Sequence, residues 1–338
     1  MSFKENDIRP TELMEQKKPA LEHDKQYLKE RRNLFVRVPC VACGNNDNEV
    51  WAEKDGFQYE ICPKCDTIFM NPRADDKLLG AFYKQSKNYE FWNKHIFPTT
   101  DNIRKEKIFK PRAEKTIEYC KKYNIHKGVL MEIGAAFGTY GEALSSFNFF
   151  DKIIAIEPTP SLAETCRNKG LHVIESTVEE LNLPKKSVDV VASFEVIEHL
   201  SNPFMFVKQS VEYLKSGGLF ICTCPSGQGL GTLVLKEKAK VVDHEHVNYF
   251  NPHSLSLMLR KNGLETLEVL TPGELDVDLL FNDFKETPLL FENNLFIKKV
   301  ISSNENIKRS FQKFLQENLL SSHLWIIARK YNSNTPKH

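Results

Sequence analysis

Short apolar runs alternate with longer segments of helical period along residues 128–330. The runs lie at 129–133, 153–156, 171–174, 188–193 and 219–224, and two more follow at 264–270 and 322–330. Each run is only long enough for a strand, and most are separated by a helix-length segment. Continuous apolar strands separated by helices are typical of a parallel sheet that is buried on both faces. The pattern therefore predicts an α/β fold.

The end of the first run carries the most informative motif, E-x-G-x-x-x-G, formed by Glu132, Gly134 and Gly138. A second acid, Glu157, ends the next strand. Open α/β sheets bind ligands at the carboxyl ends of their strands, and glycine lets the backbone turn tightly beside a ligand. Because a carboxylate at this place repels a pyrophosphate and attracts a cation, the motif favours S-adenosylmethionine (SAM) over NAD.

With these residues, the chain resembles the class I SAM-dependent methyltransferases over residues 128–330. The resemblance implies an enzyme with a Rossmann-like core of seven strands, the last of which is antiparallel between the fifth and the sixth. Ala136 stands where many members have a glycine. Carried over by position, the resemblance implies cofactor contacts from Glu132, Gly134, Ala135, Gly138, Glu157, Thr177, Val178, Ser193 and Phe194.

Four of the eight cysteines form two C-x-x-C knuckles, Cys40 with Cys43 and Cys62 with Cys65, separated by eighteen residues. This spacing is typical of a structural zinc site, in which four thiolates close the tetrahedron and leave no position for chemistry. The alternative, a redox dithiol, is disfavoured because such motifs open a helix in a thioredoxin-like unit that is absent here. The motif predicts a small N-terminal zinc ribbon.

These patterns divide the chain into segments. We expect, in order, a polar arm at 1–35, the zinc ribbon at 36–74, a helical cap at 75–127, the SAM-binding core at 128–270 and 321–330, and a mostly helical insertion near the active site at 271–320.

Composition limits the partners. The 338 residues include 46 basic and 45 acidic side chains, so no net field draws the chain toward nucleic acid or an anionic membrane. No apolar stretch has the length of a membrane span, and the first 35 residues lack a signal peptide. We therefore expect a cytoplasmic protein with a small-molecule substrate and no nucleic-acid or membrane partner. The sequence leaves the oligomeric state open.

The loop VVDHEHVNYFNP follows the fifth strand and supplies the candidate catalytic residues. Together with the cysteine ribbon it resembles the zinc-ribbon methyltransferases that act on nucleotide-linked deoxysugars, in which a Tyr-His-Glu-His stretch supplies a base. By position, His246 would be the base and Glu245 its partner, while Asp243 stands in place of the tyrosine. Alternatively, the loop histidines only cap the next helix and bond backbone groups.

A rival arrangement lies in the string SFEVIEHL, where Glu195, Glu198 and His199 occupy positions i, i+3 and i+4. On a helix these side chains share a face and could hold a divalent ion, with His244 or His246 completing the shell. Other methyltransferases use the same string only to anchor the turn below the cofactor.

The predicted function is methyl transfer from SAM to a small-molecule acceptor, namely a sugar or nucleotide-sugar of surface glycan biosynthesis. One alternative is an RNA methyltransferase that holds RNA with the ribbon. It is disfavoured by the net charge of +1 and by the absence of an Asn-Pro-Pro-aromatic turn after the fourth strand. A non-catalytic zinc-folded assembly module is disfavoured because the cofactor residues are intact.

Overall fold

Two sheets organise residues 5–331, the part of the chain that the computed structural model describes. A small sheet has the strand order β1-β2-β3-β9, and a seven-stranded sheet has the order β10-β11-β8-β7-β4-β5-β6. The strands in chain order are β1 (Glu49–Lys54), β2 (Phe57–Ile61), β3 (Ile68–Met70), β4 (Val129–Ile133), β5 (Lys152–Ile156), β6 (His172–Ile174), β7 (Val188–Phe194), β8 (Leu214–Pro225), β9 (Asn248–Tyr249), β10 (Leu264–Leu270) and β11 (His323–Lys330).

The seven-stranded sheet confirms the predicted α/β class and the Rossmann-like methyltransferase fold. Strands β4 to β8 pair in parallel, whereas β11 lies antiparallel between β8 and β10. The register pairs Leu324 with Cys224 and Val269 with Ile326. Neighbouring residues on one strand, such as Leu130 and Met131, belong to core clusters on opposite faces of the sheet. The sheet therefore lies between two helical layers, because side chains alternate along a strand.

One layer is built from α7 and α8, and the other from α10 and α12. The helices in chain order are α1 (Glu5–Ile8), α2 (Thr11–Gln16), α3 (Lys18–Lys29), α4 (Asp76–Gln85), α5 (Lys87–Phe91), α6 (Phe97–Arg104), α7 (Lys110–Lys122), α8 (Thr139–Ser145), α9 (Pro160–Asn168), α10 (Pro203–Tyr213), α11 (Leu230–Leu235), α12 (Pro252–Lys261), α13 (Asp276–Glu286), α14 (Leu295–Ile301) and α15 (Glu305–Glu317). Within residues 5–331, no helix combines the length and the apolar composition that a membrane span needs.

The small sheet joins the cysteine ribbon to the loop that carries His246. Strand β9 belongs to that loop and pairs antiparallel with β3, with Ile68 opposite Tyr249. Nearby, the Asn251 side chain donates a hydrogen bond of 2.8 Å to the Cys65 carbonyl. The ribbon is consequently part of the scaffold of the loop.

The helical cap is fixed to the N-terminal arm by one buried acid. Asp24 on α3 accepts hydrogen bonds from the Ser86 hydroxyl at 2.6 Å and from the amides of Lys87 and Asn88, both at 2.9 Å. These amides are the unpaired donors at the start of α5, which a carboxylate satisfies well. The arm therefore sets the position of α5 above the core.

Candidate active site

The turn after β4 needs glycine at two positions. Gly134 and Gly138 have φ angles of 80° and 72°, a region that L side chains rarely adopt. A β-carbon on Gly134 would also lie 2.5 Å from Cγ2 of Val196. The Gly134 amide donates 2.9 Å to the Ile156 carbonyl, which holds the turn against the end of β5.

Two buried acids lie at this turn, as the motif predicts. Glu157 accepts hydrogen bonds from the amides of Ala136 at 2.8 Å and Thr159 at 2.9 Å. One carboxylate oxygen of Glu132, Oε2, has no hydrogen-bond partner in the described part of the chain. Burial raises the pKa of Glu132 to about 8, against the opposing effect of Arg112. A buried acid with an unsatisfied oxygen fits the cationic methionine group of SAM.

Arg112 on α7 is a site residue that no sequence motif indicated. Its guanidinium is buried, with Cζ 4.6 Å from the ring centroid of Phe194 and Nη2 3.9 Å from Glu195 Oε1. A lone arginine in a helical segment gives no signal, because only the fold brings α7 beside the ends of β4 and β7. Its charge and burial suit the carboxylate of a methionine moiety.

The remaining predicted cofactor residues follow the same edge of the sheet. Ser193 and Phe194 end β7, and the Ser193 hydroxyl is buried without a partner among residues 5–331. The Phe194 ring contacts Tyr140 edge-on at 4.6 Å. Thr177 and Val178 follow β6, and Val178 is buried. Ala135 is buried within the turn itself.

His246 lies in the loop after α11, and one of its ring nitrogens forms a hydrogen bond to the backbone. Its Nδ1 is 2.8 Å from the Val241 carbonyl oxygen and 3.5 Å from Asp243 Oδ2. Because a carbonyl can only accept, Nδ1 carries the proton and Nε2 keeps its lone pair. The Glu245 carboxylate lies elsewhere and accepts 2.7 Å from the Asn88 side chain. Asp243, not Glu245, is thus the acid beside His246.

His246 forms a cluster of three residues with Glu198 and His199. One ligand atom from each residue lies within 4.8 Å of the others. His199 Nδ1 donates 3.0 Å to the Glu245 carbonyl, and burial lowers the pKa of His199 to about 3, so its Nε2 also offers a lone pair. Both carboxylate oxygens of Glu198 lack hydrogen-bond partners among the residues described. Two imidazoles and a carboxylate are ligands that suit a divalent ion.

Glu195 does not belong to this cluster, contrary to the helical spacing proposed from the sequence. Only Ile197–His199 form a single 3-10 turn, and Glu195 precedes it with a φ of 55°. Its carboxylate instead accepts from the Thr223 hydroxyl at 2.6 Å and from His323 Nε2 at 2.9 Å. His246, one of the two loop histidines proposed to complete the shell, does join Glu198 and His199.

The alternative role of the loop histidines holds only in part: His246 bonds to the Val241 carbonyl, but neither histidine caps α12. Asn251 is the N-cap of α12, and its side chain accepts from the Ser254 amide at 2.8 Å. His244 is buried against Phe82 at a ring distance of 6.0 Å, and neither of its ring nitrogens is hydrogen-bonded to any residue from 5 to 331.

The four predicted zinc ligands form one compact cluster in the ribbon. The sulfur atoms of Cys40 and Cys65 are 3.5 Å apart, and those of Cys43 and Cys62 are 3.4 Å apart. A tetrahedral ion with Zn–S bonds of about 2.3 Å separates its ligands by roughly 3.8 Å. The cluster is therefore compatible with zinc.

Comparison with known proteins decides the family. A family model described as a methyltransferase domain matches residues 104–269. The chain is 30% identical to the ubiquinone biosynthesis O-methyltransferase of Rickettsia felis over 220 residues. These residues cover 60% of this chain and 81% of the relative. The corresponding protein of Rickettsia akari is 28% identical over 214 residues, which cover 58% and 80% of the two chains. The chain belongs to the SAM-dependent methyltransferases.

A solved structure supports the fold of this methyltransferase. A chain from the complex between the Haloferax volcanii Trm112 methyltransferase activator and a methyltransferase aligns with a TM-score of 0.50 at 13% identity, over 72% of this chain and 98% of that one. At this identity the likeness concerns the fold alone.

The cap of the methyltransferase contacts both the turn after β5 and the loop that carries His246. Tyr89 lies close to Glu157 and bonds to the Thr159 side chain, and burial raises the pKa of the phenol. Asn88 donates to Glu245, and the Tyr83 hydroxyl is 3.2 Å from His199 Nδ1. The aromatic content of the cap did not indicate these polar contacts, because they join segments far apart in the chain.

Removing the Glu157 carboxylate should weaken SAM binding. We expect Glu157→Ala to raise the SAM dissociation constant by about tenfold to a hundredfold, the effect of losing hydrogen bonds to a charged group. Calorimetric titration measures it, with Glu164→Ala, an exposed acid on α9, as the control. Thermal melting of each variant checks that the turn is still folded. Equal affinity for SAM in Glu157→Ala and the parent would contradict this assignment.

Proposed function

We propose that this methyltransferase methylates a hydroxyl group of a small organic acceptor and that His246 removes the hydroxyl proton. The observation that carries the proposal is the position of His246, whose Nδ1 donates to the Val241 carbonyl and whose ring lies in one cluster with Glu198 and His199. SAM supplies the methyl group, so the protein has to align the acceptor and remove its proton.

Each residue has a task in this scheme. Glu157 and Glu132 would hold the ribose and the cationic methionine group, and Arg112 the methionine carboxylate. As His246 takes the proton, the carboxylate of Asp243, 3.5 Å from Nδ1, would stabilise the imidazolium. Asp243 is suited to this task because its pKa is held low: burial raises it, but the charges of His246 and His244 lower it more.

A divalent ion is the second candidate for activating the hydroxyl. The unpartnered carboxylate oxygens of Glu198 favour it, since a buried carboxylate with no donor is otherwise costly. Glu198, His199 and His246 would hold the ion, which would lower the pKa of a bound hydroxyl. The two candidates exclude each other, because one lone pair on His246 cannot serve as both base and ligand.

Two acceptor classes follow from separate observations. The ribbon and the His-Glu-His loop support a sugar or nucleotide-sugar, by their resemblance to deoxysugar methyltransferases. The names of the Rickettsia relatives, ubiquinone biosynthesis O-methyltransferase, support an oxygen acceptor and add a hydroxyl-bearing compound of ubiquinone biosynthesis to the candidates. A net charge of +1 gives no support to RNA.

We further propose that Cys40, Cys43, Cys62 and Cys65 bind one structural zinc ion. The support is the distance of 3.4 to 3.5 Å between paired sulfur atoms and the closed set of four ligands.

The acceptor is tested by incubating the purified protein with methyl-labelled SAM and a panel of nucleotide-sugars, catechol and a short RNA. We expect label on at least one hydroxyl-bearing small molecule, with the methyl group located on oxygen by mass spectrometry and NMR. His246→Ala serves as the low-activity control. Label on RNA alone, or on a carbon or nitrogen atom, would overturn the proposed acceptor.

A further inference from the structure

The segment between β10 and β11 exposes an unusual amount of apolar surface. Most large apolar side chains of a folded domain are buried, and contiguous exposed ones mark an interaction site. The exposed fractions are 72% for Leu289, 75% for Leu295, 69% for Phe296, 46% for Ile307 and 48% for Phe314.

Most of these side chains belong to one continuous surface, which we name the apolar patch and define as Leu295, Phe296, Val300, Ile307, Phe311 and Phe314. The spacing of Ile307, Phe311 and Phe314 aligns them on one face of α15. The ring of Phe311 lies 6.3 Å from that of Phe296 on α14 and stacks on Phe314 at 6.1 Å. The patch therefore crosses two helices.

Positive charge is concentrated around the patch. Residues 295–314 contain five basic side chains and one acidic side chain, although Lys308 is buried and pairs with Glu305 and Lys313 pairs with Glu317, whereas the whole chain has a net charge of +1. Lys299 and Arg309 are exposed and form no ion pair with any residue that the structure describes. The net charge of +1 over the whole chain conceals this local excess, which is why composition alone predicted no attraction to a membrane.

The segment that carries the patch is fixed to the active-site edge of the sheet. Asp276, at the start of α13, accepts hydrogen bonds from the Ser321 hydroxyl at 2.5 Å and from the Ser322 amide at 2.6 Å. The next residue is His323, whose Nε2 is 2.9 Å from Glu195 Oε1. Asp276 thus ties the segment that carries the patch to the end of the sheet where Glu195 lies.

We propose that the apolar patch docks on the surface of an anionic lipid bilayer. The leucine and phenylalanine side chains would enter the headgroup boundary, and the surrounding lysines and arginine would contact lipid phosphates. Charge complementarity favours lipid over a second copy of the chain. A symmetric contact between two copies would bring one basic cluster close to the other.

The test is co-sedimentation of the full chain with vesicles of phosphatidylcholine alone or with 30% phosphatidylglycerol, a composition chosen as about a third anionic lipid. We expect binding only to the anionic vesicles and release by 0.5 M salt, which shortens the Debye length to about half of its physiological value of about 8 Å. Phe296→Ser with Phe314→Ser, and separately Lys299→Glu with Arg309→Glu, should each weaken binding at least about tenfold. Matched controls away from the patch are Val50→Ser and Lys127→Glu, which should bind like the parent.

Two results would overturn the proposal. One is absence of vesicle binding by the folded parent, or binding that the patch variants do not change. The other is a dimer, seen by light scattering, that dissociates in the phenylalanine variant, since a second copy would then occupy the patch. The assay has no catalytic readout, so its failure is separate from failure of the proposed methyl transfer.

Discussion

His246→Ala should reduce the turnover number by about a hundredfold to ten-thousandfold, the usual effect of removing a general base, while SAM affinity stays nearly unchanged. Binding and chemistry should separate because His246 contacts Val241 and lies beside Glu198 and His199, whereas the acids at the glycine turn lie on β4 and directly after β5. Steady-state kinetics with a methylated acceptor and calorimetry with SAM measure the two quantities.

The matched control is His253→Ala, an exposed histidine at the start of α12, which should behave like the parent. Measuring both proteins after dialysis against EDTA distinguishes base from ligand. The comparison uses protein whose ribbon zinc, checked by elemental analysis, survives the dialysis. If His246 is the base, this protein keeps its activity in EDTA; if the cluster holds a divalent ion, EDTA abolishes the activity and added Mg²⁺ or Mn²⁺ restores it. A His246→Ala enzyme with the turnover number of the parent would rule out both roles.

Loss of the cysteine cluster should have an equally large effect on turnover, although the cluster is not expected to take part in chemistry. Structural zinc sites contribute folding free energy directly, and about 10 kcal/mol or more is typical of zinc-finger peptides. Several contacts join the ribbon to the loop that carries His246: β3 pairs with β9, the Tyr59 hydroxyl donates 2.7 Å to the Asp243 carbonyl, and Arg73 donates 2.9 Å to the Val247 carbonyl.

We therefore expect Cys65→Ser to lose the bound zinc and to lower turnover by at least about a hundredfold, through unfolding of the ribbon and the loop. Elemental analysis should find one zinc per chain in the parent, and hydrogen exchange should show faster exchange in β1 to β3 and in β9. Cys120→Ala, a buried thiol outside the cluster, should retain the metal. Unchanged exchange in β9 after metal loss would refute the coupling of the ribbon to the loop.

The core was predictable from the sequence because its signal is local. Each buried strand is a continuous apolar run, and the motif from Glu132 to Gly138 needs only one turn of backbone. The cysteine knuckles are equally local, since two residues separate the ligands in each pair.

The rest of the site depends on long-range pairing, which leaves little trace in the sequence. Strand β9 has only two residues and exists because β3 lies beside it. Adjacent position suggested Glu245 as the partner of His246, yet the loop turns because the Asp243 side chain accepts from the amides of both residues at 2.9 Å. That turn directs the Glu245 carboxylate to the cap.

The strand shared by the ribbon and the catalytic loop has a consequence for protein engineering. Residues 57–70 and 243–251 lie far apart in the chain but behave as one structural module, because β3 and β9 pair and Asn251 bonds to the Cys65 carbonyl. Acceptor preference could be transplanted between related enzymes only by exchanging both segments together. A chimera that replaced the loop alone would combine a foreign β9 with an unmatched β3 and would lose the register that orients His246.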